Sequence, residues 1–183
     1  MAIIRSIIHH KNPEKIIIIP SGERDDKVYH ISTEHRRKLC EIFVWEILDD
    51  RVILDLEFFS WKKEMITRDV DIYAREKYGN DLIHVFGTDV IPSMPLWDSE
   101  DYALKKIQKL FIQRGEKKYS EEEIWWYGIE NFEIFSRSNI PDISSTEIRQ
   151  NIPEYTSLSI LFIENPQFII PGLSKKISKY ILH

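Results

Sequence analysis

The sequence predicts a three-layer α/β fold with a mainly parallel sheet, built as one domain over residues 1–183. Short apolar strands alternate with amphipathic helical segments along the chain, which is the pattern of parallel sheets with helices on both faces. The strand at Lys15–Ile19 carries four consecutive isoleucines, as expected where both faces of a strand are covered. A length of 183 residues exceeds the roughly 150 residues of a typical domain only slightly.

Apolar spacing, together with residues that begin or end helices, defines the individual elements. Isoleucines near the amino terminus fill one stripe of a helix that ends near Lys11-Asn12-Pro13. Ser32 or Thr33 caps a helix through about Leu48, and another helix runs from Thr67 to a stop at Gly79. The remaining predicted elements are strands at Val52–Leu56, Leu82–Phe86, Leu110–Gln113 and Phe132–Phe135, a helix around Glu100–Gln108, an irregular aromatic segment before the last strand, and two closing helices, one after Ser144 and one at Ser174–Leu182.

Charge and composition exclude several classes of partner. With 25 Lys and Arg against 30 Asp and Glu, the net charge of −5 offers no general attraction for nucleic acid or an anionic membrane. No apolar stretch approaches the roughly 20 residues of a membrane span, and the start of the chain lacks the pattern of a secretory signal, so we expect a cytoplasmic protein. The single cysteine, Cys40, excludes an internal disulfide and is interpreted as a packed thiol rather than a nucleophile.

The most informative string is Ile143-Ser144-Ser145-Thr146-Glu147-Ile148-Arg149. It follows a Pro-Asp turn and opens a helix, where backbone N–H groups and small hydroxyls converge at the positive end of the helix dipole. A phosphate-binding site is one interpretation. An ordinary capping box is the other, because Ser144 and Glu147 have the S-x-x-E spacing.

A second candidate site follows the strand at Leu82–Phe86. Ligands of parallel sheets collect beyond the carboxyl ends of the strands, and Gly87-Thr88-Asp89 occupies such a position. Asp89 can accept hydrogen bonds from a ribose while Gly87 lets a nucleotide approach the backbone. The alternative for Asp89 is an Asx cap of the turn.

The Ile143–Arg149 string resembles the ISSTxIR motif of the nicotinate-mononucleotide adenylyltransferase family of nucleotidyltransferases. Further family-like features occur in order along nearly the whole chain: a Pro-Ser-Gly turn at residues 20–22, Thr67, Gly87-x-Asp89 followed by Trp97, Arg114-Gly115, and a tail with Ile170-Pro171 and Tyr180-Ile181. The resemblance implies a Rossmann-like fold and adenylyl transfer from ATP to nicotinate mononucleotide, giving deamido-NAD and pyrophosphate. It also implies a Mg²⁺ ion carried by ATP.

The resemblance further implies which residues bind the two substrates. ATP would be bound by Gly87, Asp89, Ser144, Ser145, Thr146 and Arg149. The pyridine mononucleotide would be contacted by Ser21, Gly22, Lys27, Thr67, Trp97 and Arg114. Simpler interpretations stand beside these: a solvated charged loop around Lys27, an N-cap for Thr67, and a core position for Trp97.

One family signature, a Gly-rich turn ending in H-x-G-H, does not occur in the sequence, so no catalytic residue is assigned. We expect that Met1 is an internal methionine and that the first strand is missing; a shortened, inactive relative is the alternative. Two other functions stay open: a non-catalytic nucleotide-binding or regulatory protein, and an enzyme that uses nicotinamide mononucleotide or another phosphorylated acceptor. The run Trp125-Trp126-Tyr127 is interpreted as a packing face, with a ligand wall or a homo-oligomer contact as alternatives.

Overall fold

A computed structural model of the chain describes residues 2–22, 32–61, 65–97, 100–113 and 117–136. The chain divides into two compact units: unit 1 comprises Met1–Glu64 and Ile143–His183, and unit 2 comprises Met65–Asp142. All strand pairs in the described ranges are parallel, and helices alternate with strands, so the predicted α/β class is confirmed. The two helices predicted beyond Ser144 lie outside the described residues.

Among the described residues of unit 1, two parallel strands form a sheet. The elements of the unit in chain order are α1 (Ala2–Lys11), β1 (Ile16–Ile18), α2 (Thr33–Trp45) and β2 (Val52–Leu54). The pairing places Ile16 opposite Val52 and Ile18 opposite Leu54. The side chains of Ile16, Ile17 and Ile18 are all half-buried, so both faces of β1 are covered in part.

The helix α2 begins as predicted and ends earlier than predicted. The side chain of Ser32 accepts a hydrogen bond from the backbone N–H of His35, which makes Ser32 the N-cap. The helix stops at Trp45 rather than near Leu48. Leu48 adopts a positive φ of 55°, a conformation that a helix cannot continue through, and the chain turns there towards β2.

In the described part of unit 2, three parallel strands form a sheet in the order β3-β4-β5. The elements of the unit are α3 (Thr67–Tyr78), β3 (Ile83–Gly87), α4 (Glu100–Lys105), β4 (Gln108–Ile112), α5 (Glu121–Trp126) and β5 (Phe132–Phe135). Gly79 ends α3 with a φ of 105°, as predicted from its position. The central strand β4 is buried from Lys109 to Ile112 and forms the middle of the unit.

The core of unit 2 contains a cluster of buried side chains to which β4 contributes Phe111. The buried residues of this cluster are Ile91, Met94, Ala103, Leu104, Phe111, Tyr119, Ile124 and Ile129. Four of these belong to the segments that lead from β3 into α4, so the region just beyond the carboxyl end of β3 is anchored in the core. The segment that follows the Gly87–Asp89 turn is therefore held by core packing.

The segment predicted to be irregular is the short helix α5. Ser120 and Glu123 form a capping box, in which each side chain accepts a hydrogen bond from the other residue's backbone N–H. Tyr127 packs against the core, as the packing interpretation requires, whereas Trp125 and Trp126 are 59% and 90% exposed. The packing interpretation is therefore wrong for Trp126, whereas the ring of Trp125 lies 6.3 Å from the ring of Phe132, measured between centroids. In the parts of the chain that the structure describes, no helix has the length and apolarity of a membrane span.

Candidate nucleotide-binding site

The carboxyl end of the unit 2 sheet presents the predicted Gly-x-Asp turn. Gly87 is the last residue of β3 and pairs with Ile112 of β4, and the 3-10 turn Thr88–Val90 follows directly. Gly87 has a φ of −76°, which any residue can adopt. Backbone conformation therefore does not require a glycine here, and close approach of a ligand remains the predicted reason for it.

Asp89 lies exposed on this turn. Among the described residues its carboxylate has no hydrogen-bonding partner, so the Asx-cap interpretation lacks the hydrogen bond on which it depends. An exposed carboxylate at the carboxyl end of a parallel strand can accept hydrogen bonds from ribose hydroxyls. The geometry is compatible with the predicted role.

Trp97 follows the 3-10 turn Met94–Leu96 and is half-buried. Its ring lies 5.8 Å from the ring of Phe86, measured between centroids, with an interplanar angle of 58°. The side chain packs against the core of unit 2, so the core interpretation of Trp97 is confirmed. Stacking of its ring on a pyridine stays a prediction, because a half-buried ring retains an accessible part.

Thr67 is the first residue of α3, and Ile66 occupies the N-cap position. No side chain caps this helix end, so the interpretation of Thr67 as the N-cap is wrong. The physical reason is that Ile66, with φ −78° and ψ 132°, is the residue in extended conformation where the helix begins. Capping therefore does not account for the threonine at this position, and its predicted contact with the mononucleotide stays a prediction.

In unit 1, the Ser21-Gly22 turn after β1 is held by an arginine that the sequence analysis did not single out. Arg36 of α2 donates hydrogen bonds to the carbonyl oxygens of Ser21 (2.7 Å) and Gly22 (3.3 Å). Its guanidinium lies 5.1 Å from the centroid of the Phe59 ring. A Cβ atom on Gly22 would lie 2.3 Å from the carbonyl oxygen of Trp61, so only glycine fits.

Six predicted site residues lie outside the described residues, so their substrate-binding roles stay predictions: Lys27, Arg114, Ser144, Ser145, Thr146 and Arg149. Of the other six, Ser21 and Gly22 belong to unit 1, whereas Thr67, Gly87, Asp89 and Trp97 belong to unit 2. Within the described ranges no group of three or more His, Cys, Asp or Glu side chains is arranged to hold a metal ion.

A buried charge cluster in unit 2 also escaped the sequence analysis. The carboxylate of Asp71 accepts hydrogen bonds from Arg75 Nε (2.7 Å) and the Tyr102 hydroxyl (2.8 Å), and it lies 2.7 Å from His84 Nε2. Burial alone would raise the pKa of Asp71, but the hydrogen bonds from Arg75, His84 and Tyr102 lower it below its usual value. Only the i, i+4 spacing of Asp71 and Arg75 was a signal in the sequence.

A parallel sheet with an Asp-bearing turn beyond one of its carboxyl ends is typical of the nucleotide-binding α/β proteins. No family model matches the chain. The chain is 27% identical, over 152 residues, to the probable nicotinate-nucleotide adenylyltransferase of Acholeplasma laidlawii (strain PG-8A). The matched residues make up 82% of this chain and 77% of that relative.

Two solved structures of the Plasmodium falciparum nicotinic acid mononucleotide adenylyltransferase share the fold. The complex of that enzyme with NaAD matches with a TM-score of 0.75 and 19% identity over 98% of this chain and 87% of the other. Its complex with APC matches with a TM-score of 0.73 and 19% identity over 99% of this chain and 88% of the other. The fold is therefore Rossmann-like, and the predicted resemblance to nicotinate-mononucleotide adenylyltransferases is confirmed.

Proposed function

We propose that this chain transfers the adenylyl group of ATP to nicotinate mononucleotide, forming deamido-NAD and pyrophosphate. One observation carries the proposal: Asp89 of the Gly-x-Asp turn is exposed at the carboxyl end of β3, in a chain similar to nicotinate-nucleotide adenylyltransferases. The Plasmodium falciparum enzyme of the same fold was solved with NaAD and with APC, which supports nucleotide substrates for this chain as well.

In this reaction a phosphate oxygen of the mononucleotide attacks the α-phosphorus of ATP. The bond between the α-phosphorus and the bridging oxygen breaks on the opposite side, and pyrophosphate leaves with the electron pair. Such a transfer needs the reactants held close and the developing negative charge neutralised, and it needs little covalent help from the protein. Ser144, Ser145, Thr146 and Arg149 would bind the triphosphate.

The remaining residues would orient the two nucleotides. Asp89 would accept hydrogen bonds from the ribose of ATP, and Gly87 would let the nucleotide approach the strand. The mononucleotide would be bound by Ser21, Gly22, Lys27, Thr67, Trp97 and Arg114. As the family resemblance implies, Mg²⁺ would enter as a companion of the ATP phosphates and would neutralise part of their charge.

A steady-state assay of pyrophosphate release, with ATP and nicotinate mononucleotide, tests the proposal. Asp89→Asn removes a charged acceptor, so we expect the KM for ATP to rise about 10- to 100-fold. Asp81→Asn is the matched control, because Asp81 is also exposed and precedes β3 at its opposite end. An unchanged KM in Asp89→Asn, or an equal rise in Asp81→Asn, would contradict the assigned role.

The second candidate function is nucleotide binding without catalysis. Titration calorimetry with ATP separates the two, because binding without any dinucleotide product supports the second candidate and excludes the first. The acceptor is tested in the same assay by comparing kcat/KM for nicotinate and nicotinamide mononucleotides, since a carboxylate and an amide require different hydrogen-bonding partners.

A further inference from the structure

Asp71 is a fully buried carboxylate that joins three elements of unit 2. It belongs to α3 and is contacted by His84 of β3, by Tyr102 of α4 and by Arg75 of its own helix. An ionised carboxylate can only accept hydrogen bonds, so each partner must donate, and the neutral form of His84 would carry its proton on Nε2. Three donors compensate the cost of burying the charge.

Three links join the Asp71 cluster to predicted substrate-binding residues. Two of these links are connections along the backbone, from Thr67 to Asp71 within α3 and from His84 to Asp89 through the end of β3 and the 3-10 turn that follows it, which leaves little slack. The third link is a side-chain contact, because the ring of Trp97 packs against the ring of Phe86, two residues after His84 on β3. A shift of the buried carboxylate would therefore move all three binding residues relative to one another.

We propose that Asp71 is a positioning residue that fixes Thr67, Asp89 and Trp97 relative to one another. The inference rests on the proposed function for the roles of these three residues, but the mechanical link itself does not depend on turnover. Asp71 does not act on a substrate directly, because its side chain is inaccessible and its oxygens are occupied by Arg75, His84 and Tyr102.

Amide hydrogen exchange in Asp71→Asn tests the link without any substrate. The asparagine keeps the shape of the side chain but loses the charge and one acceptor oxygen, so the three elements are held more weakly. We expect exchange across residues 88–97 to accelerate about ten-fold, while the β4 amides of Phe111 and Ile112 keep their wild-type rates. Asp101→Asn is the control, because its carboxylate is exposed and pairs only with Lys105 among the described residues.

A second readout uses the proposed reaction. We expect the KM for nicotinate mononucleotide to rise about ten-fold in Asp71→Asn, with kcat changed less than three-fold, because binding groups are misplaced while the phosphate chemistry is retained. If the wild type forms no dinucleotide, the proposed function fails, and hydrogen exchange alone decides on Asp71. If Asp71→Asn does not fold, Tyr102→Phe removes one of the three donors and is measured in the same way.

Two results would overturn the inference. The first is that amides of residues 88–97 exchange in Asp71→Asn at the wild-type rate. If Asp71→Asn does not fold, the same result in Tyr102→Phe overturns the inference. The other is an acceleration of equal size in residues 88–97 and in β4, since a purely structural role of Asp71 would destabilise unit 2 uniformly.

Discussion

Lys109 is a charged side chain enclosed in the core of unit 2. Its ammonium group donates hydrogen bonds to the carbonyl oxygens of Leu104 and Ile107, at 3.1 and 2.7 Å, and its side chain is fully buried. Desolvation lowers the pKa of Lys109 from 10.5 to about 8, although the charge of Glu130 works in the opposite direction. The ammonium group thus satisfies carbonyl oxygens at the end of α4. Its charge is less well stabilised in this buried site than the charge of an exposed lysine is stabilised by water.

The lowered pKa of Lys109 predicts a pH-dependent stability. Between about pH 8 and 10.5 the unfolded chain retains the proton that the folded chain has released, so the free energy of unfolding rises with pH in this window. Relative to Lys109→Met, the wild type should gain on the order of 1 to 3 kcal/mol from pH 7.5 to 10.5. Urea denaturation at several pH values measures this difference. Lys106→Met, which removes an exposed lysine nearby, should show the same dependence of stability on pH as the wild type. If Lys109→Met also showed the wild-type pH dependence, the lowered pKa of Lys109 would be contradicted.

At the scale of elements, apolar pattern alone placed most strands and helices close to where they lie. The strand at Phe132–Phe135 was predicted with its observed bounds, because turn residues flank a run in which three of the four residues have high strand propensity. The helix α5 was missed because its six residues are too few for a periodic signal, and its two tryptophans drew attention to packing. Its capping box at Ser120 and Glu123 was the signal that could have revealed it.

Contacts between elements that are distant in sequence could not be predicted from the sequence pattern. Arg36 contacts Ser21 and Gly22 from 15 and 14 residues away, and Tyr102 contacts Asp71 from 31 residues away. Helical periodicity identifies which face of α2 or α3 is apolar, but not which polar side chain will find a partner on another element. Both arrangements therefore emerged only with the fold.

The link between α2 and the turn after β1 predicts a loss of stability on substitution. Arg36→Met removes two hydrogen bonds from a charged donor, and we expect the free energy of unfolding to fall by about 1 to 3 kcal/mol. Arg37→Met is the matched control on the same helix, because Arg37 forms an exposed ion pair with Glu41 and should change stability by less than about 1 kcal/mol. Urea denaturation of both variants makes the comparison. Equal losses would show that the contacts with Ser21 and Gly22 contribute nothing specific.

At the scale of the whole molecule, the alternation of apolar strands and amphipathic helices predicted the class of fold, and local motifs predicted the family resemblance. The resemblance depended on motifs such as Ile143–Arg149 and Gly87-x-Asp89. The residues of each motif are neighbours in the chain, so the motif can be recognised from the sequence. The structure adds that Asp89 is exposed, that Trp97 packs partly into the core, and that Thr67 is not a helix cap. These facts depend on neighbours from other segments, which no local string specifies.

The central claim is that this chain joins ATP and nicotinate mononucleotide, and label transfer tests it most directly. The purified chain is incubated with nicotinate mononucleotide, Mg²⁺ and ATP labelled on its α-phosphate, and the products are separated by chromatography. We predict that the label moves into deamido-NAD in a 1:1 ratio with released pyrophosphate, as the proposed bond exchange requires. Label that stays in ATP, at concentrations where calorimetry shows both nucleotides bound, would contradict the claim.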